Sequence, residues 1–330
     1  MAEFIVGSAF RKIARKHRRL QNFLWRLDFA LVWCLIKLFS LLPLDTSSRL
    51  GHHVGSMIGP LMKRKAAVYE DNFRIVFPQK AEAEIKQLAK ASWSTAGRVL
   101  AEYSHIDRIL SDRGGERLQI EVQEPNSNLL DPGRPTVVVA AHLSNWEVIA
   151  VAFARLGIPN TTLYSPPTNP WIDRMLLKSR ESLQGELVPR DNCARRLMQS
   201  LKKGRTVGMV IDRRIDEGQN IPLFGHDKPT TTMPAKLALK FNCNLIPVRV
   251  ERRKDANFKV TFYPPISPLN TDDCESDQAI DMIGQVHRLF EQWIRQQPQD
   301  WFCSKRLWPK RKPQSPENNQ GDIDVDAYAA

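Results

Sequence analysis

The chain has 330 residues, of which 42% are hydrophobic and 25% charged, and a formal net charge of +12 at pH 7. Those fractions are ordinary for a globular protein and exclude both a disordered chain and a multi-span membrane protein, while the length accommodates one large domain or two smaller ones. The positive surplus calls for an acidic partner, whether an anionic membrane, a phosphorylated ligand, an acidic protein or nucleic acid.

The N-terminus is basic and then apolar. Arg11 to Arg19 reads RKIARKHRR, Arg26 follows, and Phe29 to Leu42 reads FALVWCLIKLFSLL, interrupted by Lys37 and closed by Pro43. A bilayer span needs about 20 apolar residues, whereas a run of about 10–14 suits an interfacial or a buried helix. Residues 1–45 are therefore predicted to anchor the chain on a membrane surface, where each basic side chain near an anionic leaflet contributes about 1 kcal/mol and an apolar face adds to it. A first core helix with a solvated basic face is the competing reading, and Lys37 argues against a cleaved signal peptide.

From about Ser47 to Ile109 apolar residues recur at three and four, which predicts an α-rich lead-in. From Thr136 the texture changes to β-branched runs bounded by Gly and Pro: TVVVAAH, RTVGMVID from Arg205, NLIPVRVE from Asn244 and FKVTFYPP from Phe258. Helical stretches lie between them, at Trp146 to Arg155, Asn192 to Lys203 and Pro234 to Phe241, and a closing helix spans Asp272 to Gln297 before Pro298. This alternation predicts an α/β fold with a mostly parallel central sheet flanked by helices over residues 46–312, with ligands beyond the carboxyl ends of the strands. Residues 313–330 are acidic and polar and are predicted to be a disordered tail.

The first of these strands runs into AAHLSNWE, which puts His142 where the chain leaves the sheet and Glu147 early in the next helix. A histidine backed by a carboxylate suits acyl transfer from a thioester to an alcohol. The hydroxyl needs a base to remove its proton as it attacks, imidazole has the matching pKa, and the carboxylate fixes its tautomer. Two plainer readings stand beside this one: Ser144 and Glu147 also form a Ser-x-x-Glu capping box, and His142 alone could be a core histidine. Cys193, in RDNCARR, has no histidine near it in sequence, and the five cysteines contain no C-x-x-C pair for zinc or redox chemistry. Arg190, Arg213 and Arg214 follow predicted strands, as phosphate or carrier contacts or as solvated loop charges. Trp301, Phe302 and Trp308 sit among basic residues, a mixture assigned to the membrane interface in preference to a nucleic-acid surface.

His142 to Glu147 resembles the H-x4-[D/E] motif of glycerolipid-type acyltransferases. The wider sequence resembles the lipid A biosynthesis acyltransferases, through DNFRIVFP, WSTAGRVLAE from Trp93, ELVPR ending at Arg190, LKKGRTVGMVID, IPLFGHDKPTTTMPAKLAL and QPQDWFCSKRLWPKR. The resemblance implies a glycerolipid acyltransferase-like fold, an acyl-acyl carrier protein donor and a phosphorylated lipid A precursor as acceptor. It also implies work at the cytoplasmic face of an anionic bacterial inner membrane, with no cofactor, no metal and no nucleic acid. Residue by residue, it implies His142 and Glu147 as the catalytic pair with Asn145 inside the motif, Arg190 on the acceptor phosphate, and Asp212 at the end of a strand. Pro222, Phe224, Gly225 and Thr230 match the family's V-P-x-F-G-x-x-x-x-T region. The family usually has Asp-Gln where Asp212 is followed by Arg213 and Arg214, and often tryptophan and histidine where Cys303 and Lys305 stand. A lysophospholipid acyltransferase and a non-catalytic basic binding protein are the alternatives.

Overall fold

The computed structural model describes residues 11–14, 16–112, 117–124, 129–131 and 133–309. The acidic tail predicted for 313–330 lies outside them, as do residues 1–10.

A helical lead-in precedes the sheet, as its periodicity predicts: α1 (Arg11–Ala14), α2 (Arg18–Ser40), α3 (Leu44–Leu61), α4 (Lys63–Val76), α5 (Glu82–Glu102) and α6 (Ile106–Ser111). The α3 helix lies against α5 along a stripe of Gly51, Gly55 and Gly59. A Cβ on Gly51 would stand 2.5 Å from the carbonyl oxygen of Gly97, so the two backbones approach as only glycine permits. The α2 helix is held to the body by Asn169, whose Nδ2 donates to the Trp25 carbonyl at 2.7 Å, and by a tilted Phe29–Trp171 contact. Its other side leaves Phe23, Leu27, Leu31 and Leu38 exposed, and α3 likewise exposes Leu50, Val54, Met57, Ile58 and Leu61. No helix among the described residues is long and apolar enough to cross a membrane.

The sheet is built from β1 (Leu118–Val122), β2 (Thr136–Ala140), β3 (Asn160–Tyr164), β4 (Glu186–Pro189), β5 (Thr206–Val210), β8 (Asn244–Arg252) and β9 (Phe258–Phe262), in the order β1-β9-β8-β2-β5-β3-β4. All neighbours pair in parallel except β8 with β9. Every residue of β2 is buried. Val137 and Val139 face one core while Val138 and Ala140 face the other, which is why the strand reads as an unbroken apolar run. The flanking helices are α7 (Val148–Arg155), α8 (Pro170–Lys178), α9 (Ala194–Lys202), α10 (Met233–Lys240) and α11 (Glu275–Gln296). A separate hairpin pairs β6 (Gln219–Leu223) with β7 (His226–Thr230). Its two-residue loop, Phe224 and Gly225, has positive φ at both positions, the left-handed geometry that matches strand twist in tight hairpins.

Candidate active site

Strand register builds the centre of the site. β2 and β5 are neighbours with Ala140 opposite Val210, so two residues farther along each chain His142 and Asp212 leave the sheet side by side. The His142 Nδ1–H donates to Asp212 Oδ1 at 2.5 Å, and the indole Nε1 of Trp301 donates to Asp212 Oδ2 at 3.1 Å. Burial alone would raise the Asp212 carboxyl; His142, Arg213 and the Trp301 bond outweigh it and bring it down to about 2. The imidazole side chain is 10% exposed, and Trp146 meets it edge-on at 4.9 Å.

The expected contact between His142 and Glu147 is not made. Both Glu147 oxygens are taken by Arg180, at 2.6–3.1 Å, so the carboxylate on the imidazole comes from the strand beside the histidine and not from the helix after it. The predicted capping box is also absent. Ser144 has φ +52°, its backbone N–H donates to the Asp300 carbonyl at 2.7 Å, and its buried hydroxyl has no hydrogen-bond partner among the described residues. The local turn is made instead by Asn145, whose Oδ1 accepts from the Glu147 N–H at 3.2 Å while its Nδ2 donates to the buried Glu102 at 2.9 Å. Arg252 and Ser48 occupy the rest of that carboxylate.

The arginines divide. Arg214 pairs outward with Asp216, and the exposed Arg190 stands 3.4 Å from Asp191. Yet Arg190 and Arg213 also share a neighbourhood with Lys305 and Lys65: the Lys305 ammonium is lowered by burial and then by Arg213, Lys65 and Arg190 together. Four cations thus cluster around Lys305, and one of them, Arg213, also acts on Asp212. Gly225 is the tip of the β6–β7 hairpin, and Pro222 accepts from His287 Nδ1 at 2.9 Å. Thr230 is fully buried and accepts from Lys228 Nζ at 3.0 Å. That ammonium, itself buried, is pushed down to about 8 by burial, with Asp212 pulling the other way. Cys193 is buried and burial raises its thiol, which suits packing better than nucleophilic chemistry.

Two of the three aromatic residues near the C-terminus, Trp301 and Trp308, are not interface anchors. Trp301 and Trp308 are core side chains, at 0% and 4% exposure, and Phe302 stacks on Trp146 at 5.2 Å beside His142.

The family model for bacterial lipid A biosynthesis acyltransferases matches residues 13–310. The chain belongs to that family. It is similar to the lipid A biosynthesis lauroyltransferase of Escherichia coli K12, at 23% identity over 86% of this chain and 91% of the relative. It is also similar to the palmitoleoyltransferase of that organism, at 20% over 91% and 95%. A further relative, the phosphatidylinositol mannoside acyltransferase of Mycolicibacterium smegmatis, is 25% identical over 67% and 72%. Among solved structures, the 1-acyl-sn-glycerophosphate acyltransferase of Thermotoga maritima aligns with 75% of this chain and 98% of its own, at 11% identity and a TM-score of 0.36.

In this lipid A-family acyltransferase Arg180 and Lys65 are not among the residues singled out from sequence, Lys305 is named there without a role, and Asp212 is placed at a strand end without being paired to His142. A signal for the lysines exists in the basic runs KRK from Lys63 and SKR from Ser304. Nothing in the chain marks Arg180 as the partner of Glu147, because 33 residues separate them.

Proposed function

We propose that this acyltransferase moves a fatty acyl chain from an acyl-acyl carrier protein to a hydroxyl of a phosphorylated lipid A precursor in lipopolysaccharide biosynthesis. The observation that carries the reading is the His142–Asp212 pair: with Nδ1 engaged by Asp212, Nε2 is the nitrogen left to take a substrate proton. As the acceptor oxygen bonds to the thioester carbonyl carbon, its proton passes to Nε2. The C–S bond then breaks, and the departing thiolate takes the proton back. Asp212 holds the tautomer and stabilises the imidazolium; Glu147 and Asn145 shape the loop. The acceptor supplies the nucleophile, so no serine or cysteine is required. Arg190, Arg213, Lys65 and Lys305 fit an acceptor phosphate or an acidic carrier protein, since four clustered cations are best balanced by an anionic ligand. Arg214, committed to Asp216, is left out of that group.

The reading includes the cytoplasmic face of an anionic inner membrane. Its support is the exposed apolar stripes of α2 and α3 together with basic residues such as Arg18, Arg19, Lys63 and Arg64. A second acceptor class, a phospholipid-type hydroxyl, is favoured by the similarity to a phosphatidylinositol mannoside acyltransferase. Mass spectrometry of the product made by purified protein from an acyl-acyl carrier protein and either acceptor separates the two. Product from the lysophospholipid alone would overturn the lipid A assignment. Loss of turnover by at least about 10²-fold in His142→Ala is expected, and retained turnover would remove the base.

A further inference from the structure

The segment Asp300–Phe302 holds both members of the His142–Asp212 pair at once. Its backbone grips the histidine loop: Ser144 N–H donates to the Asp300 carbonyl at 2.7 Å, Phe302 N–H donates to the His142 carbonyl at 2.9 Å, and Leu143 and Trp301 bridge antiparallel between them. Its side chain reaches the other partner, since the Trp301 indole binds Asp212 Oδ2 while His142 binds Oδ1. The indole is fixed in turn. It is fully buried, Phe73 meets it edge-on at 5.9 Å and Phe224 lies at 6.4 Å, and the Ser92 hydroxyl donates to the Trp301 carbonyl.

We infer that Trp301 is a positioning residue for acyl transfer, its indole N–H locking the Asp212 carboxylate in the rotamer that presents Oδ1 to His142. The inference rests on the reading of His142 as base. A carboxylate torsion is broad and roughly two-fold, so one hydrogen bond leaves it free to swing; a donor on the second oxygen removes that freedom. Indole suits this role because it is a donor only and does not compete for the proton passing through the imidazole. A buried carboxylate oxygen left without a donor would also bear its desolvation unaided.

Trp301→Phe removes the N–H and keeps a ring. With an acyl-acyl carrier protein and a lipid A precursor as substrates, kcat/KM is expected to fall roughly 10- to 100-fold, through kcat and not KM. In an Asp212→Asn background the same change is expected to cost almost nothing further, because the carboxylate it positions is gone. Equal losses in both backgrounds would show a merely structural tryptophan and overturn the inference, as would unchanged turnover in the single variant. Should Trp301→Phe fail to fold, the 15N-indole spectrum of the full chain decides: of its eight tryptophan signals, one is expected to move upfield in Asp212→Asn. An unmoved set would exclude the bond. His142→Ala separates the two levels: an inactive His142→Ala beside an additive Trp301→Phe sinks only the positioning role, whereas an active His142→Ala removes the base and this inference with it.

Discussion

Arg180 and Glu147 form an ion pair in which both carboxylate oxygens are engaged, with the two side chains only 15% and 14% exposed, and the guanidinium lies 5.5 Å from the centre of the Tyr103 ring. Breaking such a pair from one side leaves an uncompensated buried charge, at a cost of about 3–5 kcal/mol, while a neutral acceptor in the same place recovers part of it. Glu147→Gln is therefore expected to lower unfolding stability by about 1–3 kcal/mol. In chemical denaturation the effect should couple by more than about 1 kcal/mol to that of Arg180→Met. Additive stabilities, with a loss confined to kcat, would return Glu147 to the service of His142.

In the proposed reaction Asp212 orients the base. Asp212→Asn keeps size and polarity but no longer stabilises the imidazolium or the tautomer, so kcat is expected to fall by about 10²–10⁴. A fall of less than about tenfold in steady-state assays, with the fold intact by circular dichroism, would mean that another group orients the imidazole.

The clustered cations make a prediction about charge. Arg213→Ala and Lys305→Ala should each raise KM for a phosphorylated acceptor roughly tenfold, with a smaller effect on its dephosphorylated form. The difference should shrink as salt is raised. Equal changes for both acceptors would place these side chains on the carrier protein or in solvent.

Asp300 gives a pH dependence with a definite sign. Burial raises its carboxyl from 3.8 to about 6, against the pull of Arg252, Arg249 and Arg98. Between those values the folded chain keeps a proton that the unfolded chain has lost. Stability therefore falls as pH rises from about 4 to 6, and the penalty, about 2–3 kcal/mol, is fully present above pH 6. Asp300→Asn should raise Tm at pH 8 and bring no gain at pH 3.5. A Tm difference that does not change with pH would show that this carboxyl does not titrate as described.

Packing in the helical lead-in is equally open to test. A Cβ on Gly55 would lie 3.1 Å from the Cα of Gly97 and closer still to the Trp93 carbonyl. Gly55→Ala must push α3 away from α5, and a loss of about 1–3 kcal/mol in urea unfolding is expected. An unchanged midpoint would mean that the two helices already stand farther apart.

Much of the architecture was legible in the chain because local patterns specify it. The three-and-four spacing marks α5, and the unbroken apolar run of Thr136–Ala140 marks a strand covered on both faces. β1 and β3 were missed: LQIEV is short and mixes polar with apolar positions, and NTTLY opens on polar residues. His142 stood out by its place at a strand end. Its partner did not, since sequence order pairs the histidine with Glu147 five residues on, whereas sheet order pairs it with Asp212, 70 residues away. The Ser144 cap failed for a similar reason: the bond from its backbone to Asp300 depends on a segment 156 positions later. Trp301 and Trp308 misled because a tryptophan beside lysines reads alike in a headgroup layer and in a core whose neighbours point outward.

The backbone clasp by Asp300–Phe302 also bears on how the protein is made. His142 and Asp212 are both synthesised well before Asp300–Phe302, the residues whose backbone holds the histidine loop. A growing polypeptide thus carries both members of the pair before it carries the clasp that fixes their loop, so the order of synthesis leaves the geometry of the centre to be completed by a segment far downstream.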